Sequence, residues 1–194
     1  MRDMPIPAPP RVLRAVGFDD APFLRRRRGR VAVAGVVCAG TRFEGMVWGH
    51  VRQDGWNATD ALAGMLVGGK FLDQLHLVLL DGLSFGGFNL VDLPELARRL
   101  ARPCVAVMRR TPDVAAVRRA IGRLPFPDRR LALLARAGPV HPHPPFHFQV
   151  AGGDPEEIAR ALARLTDRGH VPEALRIAHL VGAAIRLGES GRRA

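Results

Sequence analysis

The sequence predicts an α/β domain on a mixed sheet, three antiparallel strands followed by parallel ones, flanked by helices. Three observations lead there. Residues 12–51 hold three apolar runs joined by short connections, which makes neighbouring strands antiparallel. From about residue 57 the apolar period changes from two to between three and four. Beyond that point short buried-strand runs alternate with helical stretches, as in βαβ units.

Residues 1–11 are a proline-rich N-terminal extension, and 12–190 are read as a single domain, long enough for a substantial core. Val12–Phe18 is the first strand and ends at Asp19-Asp20. RRRRGR (25–30) is a polar hairpin-like turn, Val31–Ala39 a nearly continuous apolar strand, and Phe43–Val51 an alternating third strand. Asn57 or Thr59 caps a helix reaching about Phe71, whose stripe is Ala58, Leu62, Met65 and Leu66. Leu75–Leu80 is the fourth strand, with Asp81 at its end. Asp92–Leu100 is a helix capped by Asp92 with a proline in its first turn. Pro103–Met108 is the fifth strand, Thr111–Ile121 a helix capped by Thr111, and Phe146–Ala151 a further strand. Asp154–Arg168 and Pro172–Leu187 are two closing helices.

Composition narrows the function classes. The N-terminus lacks the apolar core of a signal peptide, and no apolar stretch is long enough to span a membrane. Cys38 and Cys104 sit in apolar runs with no metal or disulfide spacing, which places the protein in the cytoplasm. The formal net charge is +11, and Lys70 is the only lysine among the 29 basic residues. A GC-rich genome explains arginine in place of lysine but not the excess of bases over acids. A polyanionic partner, nucleic acid, explains the excess.

Asp19 ends the first strand and Asp81 the fourth; if those strands are neighbours, the two carboxylates emerge side by side. Asp60 lies in the first turn of the intervening helix and is expected to be aimed at the same point. Three carboxylates about 5 Å apart repel by roughly 3 kcal/mol per pair at an effective dielectric near 20, so the cluster must take up protons or bind a cation. Carboxylate oxygens suit hard divalent ions such as Mg²⁺ or Mn²⁺, which can serve phosphodiester hydrolysis. Each acid alone also has a plain reading: Asp60 complements a helix dipole, Asp81-Gly82 is a turn, and Asp19-Asp20 starts an Asx-type turn.

GFD (17–19), a helical acid at Asp60, LLDGLSFGGFN (79–89) and VPEALRIAH (171–179) together resemble the RNase H-like nucleases, and endonuclease V in particular. FDDAPF, DGWNATD, LDGLSFGGFNLVD and PEALRIAH resemble still more a mainly archaeal sister group, domain of unknown function family 99, for which the name endonuclease dU has been proposed. The resemblance spans roughly residues 12–190. It implies an RNase H-like mixed sheet and a Mg²⁺- or Mn²⁺-dependent endonuclease leaving a 3′-hydroxyl and a 5′-phosphate. The implied substrate is nucleic acid, DNA in preference to RNA, with deoxyuridine- or deoxyinosine-containing DNA as the target. By the same match Asp19, Asp60 and Asp81 hold the metal, and His179 joins them as a catalytic residue. One departure stands out. Where endonuclease V carries a Pro-Tyr-Ile-Pro wedge, this tyrosine-free chain has DGWNAT (54–59). The match therefore speaks for metal-dependent phosphodiester chemistry more than for inosine recognition.

Other features carry two readings each. Arg26, Arg27 and Arg28 either grip a phosphate backbone or form a solvated hairpin tip. Trp56 either stacks on a base or anchors a loop. Gly82, Gly86 and Gly87 do not have nucleotide-loop spacing; they are expected to let a phosphate backbone come close to Asp81. The histidines of HPHPPFH (141–147) lack the cysteine or acid partners of a metal site, and its prolines imply an extended loop. Asp20 and Asp54 stand as outer acids, with strand alternation turning Asp20 away from Asp19. The competing function is a non-catalytic nucleic-acid-binding module on the same fold; a small-molecule phosphate-binding protein ranks third.

Overall fold

The structure is a computed structural model and describes residues 4–24 and 29–190. The elements run β1 (Arg14–Asp20), β2 (Arg30–Ala39), β3 (Arg42–Arg52), α1 (Ala58–Leu66), β4 (Leu77–Asp81), the two-residue strands β5 (Ser84–Phe85) and β6 (Asn89–Leu90), α2 (Leu93–Leu100) and β7 (Cys104–Met108). Then come α3 (Val114–Ile121), α4 (Pro127–Arg136), β8 (His141–His143), β9 (Phe146–Ala151), α5 (Pro155–Arg164) and α6 (Glu173–Leu187).

A seven-stranded sheet has the order β3-β2-β1-β4-β7-β9-β8. β1, β2 and β3 are antiparallel neighbours, and β1, β4 and β7 run parallel at the centre. β9 pairs antiparallel with β7, and β8 with β9. The expected mixed sheet, three antiparallel strands followed by parallel ones, is what the chain forms, with β1 and β4 adjacent. Parallel strands end on the same side, so the ends of β1, β4 and β7 share one edge.

Alternation sorts the central strands between two layers. Val16, Phe18, Val78 and Leu80 face a core completed by Ala58, Leu62, Ala63 and Leu66 of α1 and by Leu93, Leu96 and Leu100 of α2. Ala15, Leu77 and Leu79 face the other core, with Ile158 and Leu162 of α5 and Leu175 of α6. Helix α6 lies tight on β1 because of Gly17. A β-carbon there would stand 2.6 Å from the backbone of Ala174 and Leu175, well inside contact distance. Further along, Gly182 of α6 sits against Ala21.

Several local expectations change. α1 stops at Leu66, and Gly68 with φ +74° turns the chain away. The Asn57 side chain does not cap it; its Oδ1 accepts hydrogen bonds from the Arg52 amide and Asn89 Nδ2 instead. Asp113, not Thr111, caps α3 through the Ala116 amide, while Thr111 Oγ1 bonds His147 Nε2 at 2.9 Å. α4 was not expected, and His141–His143 pairs as an edge strand and not as a loop. Both cysteines are buried and free. The Met4 amide bonds Gly152 O, and Arg164 holds Pro7 O and Arg11 O, tying residues 4–11 to the body. No helix among the described residues is long and apolar enough to cross a membrane.

Candidate metal centre

Asp19 is the next residue of β1 after Phe18, which pairs in register with Leu80 of β4, and Asp81 follows Leu80. The two carboxylates therefore stand next to each other at the shared edge, both turned toward the α6 layer. Asp19 is among the few buried charged side chains. α6 brings the third group. Two strand residues from Gly17 to Asp19 advance about 6.7 Å, and four helical residues from Leu175 to His179 advance about 6 Å. Contact at Gly17 thus delivers His179 beside Asp19, and Nδ1 lies 2.8 Å from Asp19 Oδ2.

One donor atom from each of Asp19, Asp81 and His179 lies within 4.8 Å of the others. Among the described residues, this is the group of three able to hold a metal ion. Burial raises the Asp19 carboxyl from 3.8 to about 7; the charge of Asp81 adds to the rise and the hydrogen bond with His179 opposes it. Burial also pushes the Asp81 carboxyl up, with Arg109 and His179 pulling it back. Two acids held upward in this way, Asp19 buried and Asp81 half-buried, lack full compensation by positive charge, and a divalent cation fits that deficit. An ionised carboxylate only accepts, so with Asp19 ionised it is His179 Nδ1–H that donates this hydrogen bond.

Asp60 does not join them. α1 packs on the opposite layer, and the Asp60 side chain is 73% exposed and pairs with Arg99 of α2 at 2.5 Å. The structure thus does not bring Asp60 to the other two acids as expected; the third group beside them is His179 of α6. Asp20 faces the α1 layer, where Oδ2 accepts from the Gly86 amide at 2.6 Å. Asp54 Oδ1 accepts from the Phe88 amide, and its own amide donates to Gly86 O. These two acids clamp the glycine turn from either side. Gly87, at φ +94°, is needed there because a β-carbon would stand 2.4 Å from Asp54 Oδ1. Gly86 likewise packs against Val31 and Val51, so these two glycines serve protein contacts. Gly82 alone of the three has open space where a side chain would be.

Trp56 is half-buried, with the guanidinium carbon of Arg130 at 4.2 Å and that of Arg129 at 4.5 Å from its ring centre. It is held as an anchor, not offered as a free stacking face. Arg26, Arg27 and Arg28 lie outside the described residues. Sequence reasoning missed Arg109, which follows β7 at the same edge and acts electrostatically on Asp81. Its signal was positional: it sits just past the third parallel strand, as Asp19 and Asp81 sit at the ends of the other two. The histidines of residues 141–147 join no such metal-binding group among the described residues.

Comparison with known proteins adds four findings. The sequence profile of the endonuclease dU family matches residues 11–186. A protein of Deinococcus radiodurans named UPF0215 protein is 40% identical over 191 residues, covering 96% of this chain and 97% of its own. Among solved structures, a protein of unknown function from Archaeoglobus fulgidus superposes with a TM-score of 0.84 at 35% identity, over 89% of this chain and 98% of the other. Endonuclease V of Ciona intestinalis, solved with DNA containing an inosine followed by a ribo-adenosine, shares the fold at a TM-score of 0.54. That match has 14% identity over 86% of this chain and 83% of the other.

Proposed function

The chain belongs to the endonuclease dU family, and on that premise we propose that it is a divalent-metal-dependent endonuclease acting on deaminated DNA. The observation that carries this reading is the meeting of Asp19, Asp81 and His179 within 4.8 Å at the edge where the parallel strands end. The two carboxylates suit a hard ion, Mg²⁺ or Mn²⁺. Such an ion, when bound, supplies Lewis-acid activation of water and neutralises charge on the phosphate.

The chain's own groups have separable tasks. Asp19 and Asp81 provide the negative charge that holds the cation. Asp19 also fixes the His179 ring through Nδ1, which leaves Nε2 to take the proton of the attacking water. Arg109 is placed to meet a non-bridging phosphate oxygen. The open side of Gly82 leaves room for the nucleic-acid backbone beside Asp81. Support for a DNA substrate with a deaminated base comes from the fold shared with an endonuclease V solved on inosine-containing DNA. The place of action would be the cytoplasm, where Cys38 and Cys104 stay free thiols.

One observation favours a second reading. Asp60 is absent from the metal-binding group, so the centre has one carboxylate fewer than expected. A nucleic-acid-binding module without hydrolytic activity would carry such a depleted site. The two readings part in one experiment. Purified protein is incubated with Mg²⁺ or Mn²⁺ and end-labelled plain, deoxyuridine- and deoxyinosine-containing strands, single and duplex, plus RNA. Metal-dependent cleavage at one lesion, abolished by Asp81→Asn, establishes the nuclease. Salt-sensitive binding with no cleavage of any strand selects the binding module.

A further inference from the structure

A second feature lies at the same edge of the sheet as the metal centre. The start of β2, the end of β3 and the segment before α4 enclose an open cleft of about 610 Å³, a volume in the range of ligand sites. Arg30 and Arg52 stand on its rim as an exposed cross-strand pair. Like charges directly opposite destabilise a sheet, so the fold alone gives no reason for this pair. Arg30 contacts His50 Nδ1 at 3.2 Å, and neither arginine has an acidic partner among the described residues.

Phe126 forms the facing wall. It is 69% exposed and adopts φ +56°, a left-handed conformation that a bulky side chain rarely takes. An exposed apolar ring on a strained backbone is a cost that the surrounding structure must impose. Behind it lies Arg130, which is 2% exposed. Its guanidinium has no carboxylate in its grasp. It donates instead to the carbonyls of Asp54, Gly55, Phe88 and Pro125. One buried cation thus ties together the loop carrying Trp56, the glycine turn and the residue before Phe126. It sets the Trp56 and Phe126 rings 6.4 Å apart at 64°. Asp54, also at positive φ, is a second strained residue of the cleft. Its carboxylate is engaged by the Phe88 amide.

We propose that this cleft seats an unpaired stretch of nucleic acid, with Arg30 and Arg52 on its phosphates and Phe126 as the ring on which a base stacks. Phe126 takes this part rather than Trp56, whose ring already carries two guanidinium groups. The inference rests on the nuclease reading and deepens it, because the cleft connects to the metal centre through bonded groups. Arg130 holds Asp54 O, Asp54 holds the glycine turn, and the turn holds Asp20 beside Asp19. A strand lying in the cleft would lead over the turn toward the carboxylates.

The test is fluorescence anisotropy with labelled oligothymidylate and with a duplex of equal length, in EDTA so that no cleavage intervenes. Phe126→Ala and Phe126→Gly are expected to weaken single-strand binding about 5- to 20-fold and duplex binding less than twofold, whereas Phe126→Tyr stays within twofold of the parent. Glycine relieves the left-handed strain, so Phe126→Gly keeps or raises the melting temperature and its loss of binding is not unfolding. Unchanged single-strand binding in Phe126→Gly, an equal loss on duplex, or no binding by the parent protein overturns the proposal. Asp81→Asn separates it from the reading beneath. Single-strand binding that depends on Phe126 in a protein that cleaves nothing refutes the nuclease and leaves the cleft standing.

Discussion

His179 Nδ1 and Asp19 Oδ2 meet at 2.8 Å across 160 residues of sequence. The contact joins the first strand of the sheet to the helix that follows all the others. It makes one imidazole part of a site whose carboxylates come from adjacent parallel strands. What the pair does follows from its surroundings: a buried acid with a second acid beside it, and a ring whose second nitrogen remains free.

Replacing Asp81 by Asn removes the charge that helps to raise Asp19. With repulsion of about 3 kcal/mol between carboxylates ~5 Å apart, and about 2–4 °C per kcal/mol for a chain of this size, Asp81→Asn should raise the metal-free melting temperature at pH 8 by about 6–12 °C. The same variant should lose Mn²⁺ binding. Thermal scans in EDTA and titration calorimetry read both. A less stable variant that still binds Mn²⁺ would contradict this account of the site.

The pH dependence has a defined sign. Asp19 holds its proton more tightly folded, at about 7, than its ordinary 3.8. Its contribution to stability is full below about pH 4 and is lost as pH rises through 7. The metal-free melting temperature should carry this decline between about pH 4 and 7, and Mn²⁺ should cancel it. Over the same interval Mn²⁺ affinity should climb as protons leave the carboxylates.

Arg109→Ala removes a charge that pulls the Asp81 carboxyl down. The midpoint of Mn²⁺ binding against pH should therefore move upward. If cleavage is observed, its rate should fall about 100-fold, the scale of losing one group that stabilises transition-state charge. A fall in rate with an unmoved midpoint would place Arg109 away from Asp81.

Asp60→Asn should leave Mn²⁺ binding unchanged and shift the melting temperature by less than about 2 °C, since an exposed ion pair contributes little. Loss of metal binding in this variant would reinstate Asp60 as a ligand.

The uneven legibility of the site has a physical cause. Asp19 and Asp81 were readable because strand residues alternate, and because short connections and a crossover left little choice of neighbours. Asp60 was misread because the stripe of Ala58, Leu62 and Leu66 shows which side of α1 is buried, but not which face of the sheet it covers. His179 came only through resemblance, since a histidine on an amphipathic helix looks the same packed or ligating. Arg130 was invisible: α4 buries an arginine where a periodic pattern seeks an apolar residue, and its partners are carbonyls, which leave no trace in sequence.

Gly17→Ala should be severe. The added methyl meets helix backbone at 2.6 Å, and backbone cannot swing aside as a side chain can, so α6 must lift from β1. A loss of about 2 kcal/mol or more in stability is expected, within the range for overpacked cores. Mn²⁺ binding should weaken with it, as His179 leaves Asp19. Urea melts and calorimetry on the same preparation test the pair of effects.

The seating of α6 on Gly17 also sets an order of assembly. Both carboxylates are in place once β4 has paired with β1, while the helix bearing His179 is made after every strand. A growing chain therefore passes through a stage with an acidic pair and no imidazole. The contact between Asp19 and His179 is made only when α6 closes on the sheet, as the last piece of the site to arrive.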